Sequence, residues 1–152
     1  MSVLKRRRLE SKANYLNYAN EICDATVELL ARLSPRYGRI LTTDTSHLAH
    51  VIVDEVEIAN SIYPSDAQRR DQRKYHLLEA RGALRALDVE LGRCYRVLLK
   101  NPQGAFQKAN GKSVPAADAE RILENLADNV GTLIDLEDAA ISGVLESDRK
   151  RK

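Results

Sequence analysis

Two arrangements in this 152-residue chain have residue types and spacings suited to chemistry. His47, His50 and Asp54 recur at i, i+3 and i+7, so on a helix they would share a face, as a metal-ligand set would. Bundles that hold two metals, however, use paired Glu and Glu-x-x-His motifs on facing helices, and no Glu-x-x-His occurs here. The two histidines read instead as partly exposed helix residues. Arg70 and His76 form an Arg-x5-His arrangement with Asp71 after the arginine, a spacing that also arises by chance in a basic helix. There is no Gly-rich loop after a strand, no P-loop, and no Ser or Cys in a nucleophile context, and the carboxylates read as scattered, solvent-facing charges. The expectation is a protein without catalysis, metal or cofactor.

Helices are the elements that would position any such residues. With 43% apolar, 30% charged and 5% aromatic residues and no Trp, the composition suits helices better than aromatic-rich sheets. The length is that of one ordinary domain, which buries roughly two thirds of its unfolded surface. Tyr15, Ala19, Ile22, Thr26, Leu29 and Leu33 recur at helical steps, and Leu16, Cys23, Val27 and Leu30 add a second apolar stripe beside them. So wide a face predicts an oligomer. Ser34-Pro35 ends this helix, since proline lacks an N–H and pushes its predecessor out of helical geometry.

A second helix is expected from about Ile40 to Tyr63, with Leu41, Leu48, Ile52, Val56, Ala59 and Ile62 inward and Pro64 as its stop. Ser65-Asp66-Ala67-Gln68 has the form of a capping box opening the third, along which Leu77, Ala80, Leu84, Leu87, Leu91, Cys94 and Leu98 keep a heptad alternation. Beyond Asn101-Pro102, Asn110-Gly111 between Phe106 and Val114 signals a tight turn, so a small hairpin or an ordered loop is expected there. The fourth helix is expected from near Pro115 to about Ser147, through Ile122, Leu126, Val130, Leu133, Ala140 and Val144. The predicted fold is all-α, an antiparallel up-down-up-down four-helix bundle over 13–147 with a short hairpin-like insertion between helices 3 and 4. A basic N-terminal arm occupies 1–12 and a basic tail 148–152.

Cys23 and Cys94 lie inside apolar helical patterns without CxxC spacing and read as buried thiols in a reducing compartment. The first thirty residues lack an apolar signal core, and no run of about 18 apolar residues occurs to span a bilayer. A cytoplasmic location without membrane association is expected.

Net charge is only +2, but its distribution is uneven. An antiparallel bundle brings the N-terminus, the turn between helices two and three, and the C-terminus to one end. Lys5, Arg6, Arg7, Arg8 and Lys12 come from the first, Arg69, Arg70, Arg73 and Lys74 from the second, and Arg149, Lys150, Arg151 and Lys152 from the third. These are 13 of the 24 basic residues against five acidic ones, a balance of +8 that leaves −6 elsewhere. Such an end would neutralise phosphates, with affinity that falls steeply with salt. An anionic membrane or an acidic protein would also suit it, and terminal Lys/Arg runs also serve simply as solubility tails. A further set, Arg81, Arg85, Arg93, Arg96 and Lys100, follows the third helix over more than one face.

Two resemblances follow from these residues. Arg70, Asp71 and His76 resemble the motif of HEPN ribonucleases, in which His and Arg act together on an RNA phosphodiester, although here the motif opens the third helix, not the last. Taken whole, the layout from about residue 14 to 145 resembles the accessory variability determinant (Avd) proteins of diversity-generating retroelements and the four-helix proteins of ribosomal intervening sequences. The residues that carry this likeness are Ser34-Pro35-Arg36-Tyr37, Ala59-Asn60-Ser61-Ile62, the Leu- and Arg-rich third helix with Leu84, Leu87 and Leu91, and Leu126 to Leu133 in the fourth. The resemblance implies a non-catalytic homopentamer that binds nucleic acid, RNA or RNA/DNA, and associates with a reverse transcriptase. Arg93 and Arg96 would match the family's third-helix arginines. The Asn110-Gly111 insertion, the longer tails and the milder charge depart from that pattern. The remaining alternatives are a HEPN-like ribonuclease and a protein-interaction scaffold without nucleic acid.

Overall fold

Pro35, expected to close one helix, opens the next. In the computed structural model, which describes residues 13–106 and 114–151, helix α1 spans Asn14–Leu30 and α2 spans Pro35–Ser61. Proline is well placed at the first helical position, because its missing N–H has no intrahelical partner there anyway. The Gly38 N–H donates to Ser34 O at 2.8 Å, so the helix is wound from its first turn and starts five residues before Ile40. Helix α3 covers Ala67–Leu98 and α4 covers Ala116–Lys150. The result is an all-α four-helix bundle.

The capping residue of α3 is Asp66, not Ser65. Its carboxylate accepts the Arg69 N–H at 2.9 Å, while Ser65 sits outside the helix and donates its hydroxyl to Asp66. A carboxylate at this position satisfies a free N–H and also meets the positive end of the helix dipole. Pro102–Phe106 forms a 3-10 helix, and Asn110-Gly111 lies outside the described residues, as do the arm at 1–12 and Lys152. Helix α4 continues past Ser147 to Lys150, so most of the supposed tail is helix.

All seven heptad residues of α3 are buried, which makes this helix the spine of the core. Truncating one of them, Leu84→Ala, would cost about 2–5 kcal/mol through lost transfer energy and the cavity left behind. On α1, Leu16 and Leu30 are buried and Cys23 is half-buried, so most of the second stripe is taken up within the bundle and only Val27 remains exposed. On α4, Val130 and Leu133 are buried as expected, but the rest of the inward line is displaced and runs through Ala119, Leu123, Ile134, Glu137, Ile141 and Asp148. Ile122, Leu126, Ala140 and Val144 flank it half-buried. A period count of apolar residues alone misses this line because two of its members are acids.

Contacts between helix ends tie the elements together. The Tyr15 hydroxyl, at the start of α1, donates to Asn60 Oδ1 at 2.9 Å, at the end of α2. Thr45, early in α2, lies 4.0 Å from the Cys94 sulfur, late in α3. The Arg32 guanidinium, after α1, stacks 4.8 Å above the Phe106 ring of the 3-10 helix.

Candidate nucleic-acid interface

Arg73 leaves the cluster of surface cations and becomes part of the interior. Its Nε donates to Asp148 Oδ2 at 2.7 Å, and its Nη1 donates to the carbonyls of Ala59 and Ile62 at 3.0 and 3.1 Å. Both side chains are nearly buried, 12% and 11% exposed. One guanidinium thus satisfies carbonyls freed at the end of α2 and anchors the last turn of α4, a fork that only arginine's planar set of donors can make. Arg73, expected among the phosphate-binding cations, has its Nε and Nη1 committed to acceptors within the protein. Tyr15 packs against the same pair, and burial, partly offset by Arg73, pushes its hydroxyl pKa up.

This buried pair brings the two described basic segments together. Above it, a groove of about 570 Å³ opens between the start of α3 and the end of α4, lined by Arg70, Asp71, Lys74, Leu145, Glu146, Asp148, Arg149 and Arg151. Asp148 is already matched by Arg73 from beneath and by Arg151 at 3.8 Å, so the cations prevail at the rim. Among the described residues Arg70, Lys74 and Arg149 have no ion pair, and they are the charges left to meet an anion. Arg69 is held by Asp66 and Ser65 at the helix start, and Lys150 pairs with Glu146 at 2.8 Å. Those surface pairs are weak and open readily to a phosphate. Lys5, Arg6, Arg7, Arg8, Lys12 and Lys152 lie outside the described residues.

Arg93 and Arg96 do not join this end. They sit more than twenty residues further along α3, about 35 Å away at ~1.5 Å per residue. Arg93 is bonded to Glu90 at 2.9 Å beside a separate groove lined by Ile40, Leu41, Asp44, His47 and Leu48. That groove sets Asp44 and Glu90 against the single cation Arg93, so acids outnumber cations there and it is unlike a phosphate track. Arg36 and Arg39, at the start of α2, are exposed and free of ion pairs among the described residues.

The Arg-x5-His arrangement is divided between two sides of α3. Arg70 lines the groove against α4, whereas His76 Nδ1 lies 2.6 Å from Glu55 Oε2 on α2. His50 Nδ1 is 2.8 Å from Ser46 O on its own helix, and among the described residues no three His, Cys, Asp or Glu side chains come together to hold a metal ion. Both cysteines are free thiols whose pKa burial pushes up, which keeps them poor nucleophiles.

Two acids were misjudged as solvent-facing. Asp148 is the anchor described above. Glu137 is fully buried in the middle of α4 with no hydrogen-bond partner for either carboxylate oxygen, and burial alone raises its pKa from 4.5 to about 8. The Thr26 hydroxyl on α1 is also buried without a partner. The only hint available beforehand was that Glu137 falls seven residues after Val130 and four before Ile141, in phase with the inward line.

Among the described residues no helix is long and apolar enough to cross a membrane. Compared with protein-family models, curated proteins and solved structures, the chain matches none.

Proposed function

We propose that this chain is a non-catalytic, nucleic-acid-binding bundle of the cytoplasm that acts as an accessory to a reverse transcriptase. The observation that carries the nucleic-acid part is the groove beside the Arg73–Asp148 pair, where Arg70, Lys74 and Arg149 are free cations from two different helices. Helix α1 starts against the same pair through Tyr15, directly after the basic residues at positions 5–12. A surface of this kind would grip phosphates without reading bases. The polymerase partner, the RNA or RNA/DNA ligand and self-association come from the likeness to the accessory variability determinant proteins.

The test is RNA binding measured across a salt series. Arg70→Ala, Lys74→Ala and Arg149→Ala should each weaken binding and reduce the salt slope by about one counterion. Deleting residues 1–12 should reduce it further. An unchanged slope in the triple variant would remove this surface from consideration, and cleavage of the RNA by the intact protein would remove the non-catalytic assignment.

A further inference from the structure

Opposite its buried heptad, α3 carries a second line of residues. Tyr75, Leu78, Gly82, Ala86 and Val89 are all exposed, and the steps of three and four between them keep them on one side of the helix. Tyr75, Leu78 and Val89 expose 58%, 44% and 59% of their surface. Large apolar side chains scattered singly over a surface are ordinary, but three on one line separated by small residues form a strip that water covers poorly. The small residue at its centre is also unexplained by the protomer. A Cβ at Gly82 would meet nothing within 4 Å, so nothing inside the bundle requires glycine there, although glycine weakens a helix interior. A glycine at the middle of an exposed helix strip lets another backbone come close.

The pattern is close to self-complementary about Gly82. In an antiparallel copy of the same helix, residues equidistant from Gly82 face each other. Tyr75, seven before, meets the partner's Val89, seven after, and Leu78, four before, meets the partner's Ala86, large against small. Eleven before and eleven after stand Asp71 and Arg93, of opposite charge; Arg93 would turn from its exposed pair with Glu90 on its own helix to meet the partner's Asp71 at each end of the strip. On one flank Lys74 comes beside the partner's Asp88. Asp71, Lys74 and Asp88 have no ion pair within the protomer among the described residues. A parallel copy would instead set Asp71 against Asp71 and Lys74 against Lys74.

We propose that two copies of this chain associate through the outer faces of their α3 helices, crossing antiparallel about a twofold axis at Gly82. The contact is isologous, each copy giving and receiving the same residues. It shares Asp71 and Lys74 with the rim of the basic groove, but its apolar strip of Tyr75, Leu78 and Val89 lies outside that groove, so the contact does not rest on the nucleic-acid assignment. If both hold, the dimer carries its two basic grooves at opposite ends, about 36 Å apart at ~1.5 Å per residue. A ring of five needs a head-to-tail surface instead, so stoichiometry separates the two assemblies.

Sedimentation equilibrium of the full chain should show a monomer–dimer equilibrium, and Leu78→Asp should weaken it by at least about tenfold. Asp71→Arg and Arg93→Asp should each weaken it, and the double charge swap should restore it. In a Cys23→Ser background, Gly82→Cys places a thiol on the axis with space for its Cβ, and mild oxidation should give a covalent dimer. Val89→Cys, whose opposite number is Tyr75, should not. Circular dichroism on each variant establishes that it is folded. A monomer at all concentrations, a pentamer, a dimer indifferent to Leu78→Asp or to the charge swap, or equal crosslinking at positions 82 and 89 would overturn the proposal.

Discussion

Arg73 and Asp148, 75 residues apart in sequence, form a nearly buried ion pair of 2.7 Å that joins the second turn of α3 to the last of α4. Because the same guanidinium also holds Ala59 O and Ile62 O, it locks α2 at that end as well. Arg73→Ala leaves a carboxylate buried without its partner and should destabilise the fold by about 3–5 kcal/mol, read by chemical denaturation. Arg73→Lys should recover only part of this, since an ammonium lacks the fork that spans carboxylate and carbonyls. The fraction that remains folded should bind RNA with an unchanged salt slope, unlike Arg70→Ala.

Glu137 makes stability depend on pH in a definite direction. Its carboxyl titrates near 4.5 when unfolded and at about 8 when folded, so between those values the native state holds the extra proton. Its share of stability is fully present below about pH 4.5 and is lost as pH rises through about 8. The buried groups on the facing helices that titrate at all are Tyr15 and Cys94, and neither is perturbed by Glu137, so no charge offsets the burial. Glu137→Gln should therefore flatten the pH profile. Relative to the native protein it should gain several kcal/mol of stability, on the order of 4–5 as an upper bound, between pH 5 and pH 9. Denaturation midpoints that run parallel for the two proteins across that range would contradict this.

The start of α3 should respond to Asp66 far more than to Ser65. Asp66→Ala removes both the accepted N–H bond and the favourable charge and should lower the melting temperature measurably, whereas Ser65→Ala should leave it nearly unchanged. The N–H bond and the arginines at 69 and 70 hold the Asp66 carboxyl below the usual carboxylate range. Paired thermal melts would distinguish the two residues.

The contact of His76 with Glu55 ties α3 to α2. His76→Ala should lower stability by roughly 1 kcal/mol, the scale of one partly buried hydrogen bond, and leave RNA affinity unchanged. Loss of an RNA-cleaving activity in this variant would instead restore the ribonuclease alternative.

The heptad of α3 and the apolar period of α1 could be read directly from the sequence because they are local. Hydrogen bonding within one helix and the phase of its apolar residues need no knowledge of the neighbours. The candidate site was legible only as a list of cations. Arg70 and Arg73 look alike in sequence, and three residues apart on a helix they lie only about 60° from one another, on the same side. Which of them meets water depended on where α2 ends and how far α4 extends, and α4 proved three residues longer than its apolar pattern. The same dependence hid Glu137, whose charge argues for solvent until the surrounding helices close over it. By itself the sequence determined the helices and the sign of the charge at their ends. Only the tertiary structure decided which charges remain on the surface, because burial is a property of facing elements and not of a residue's own type.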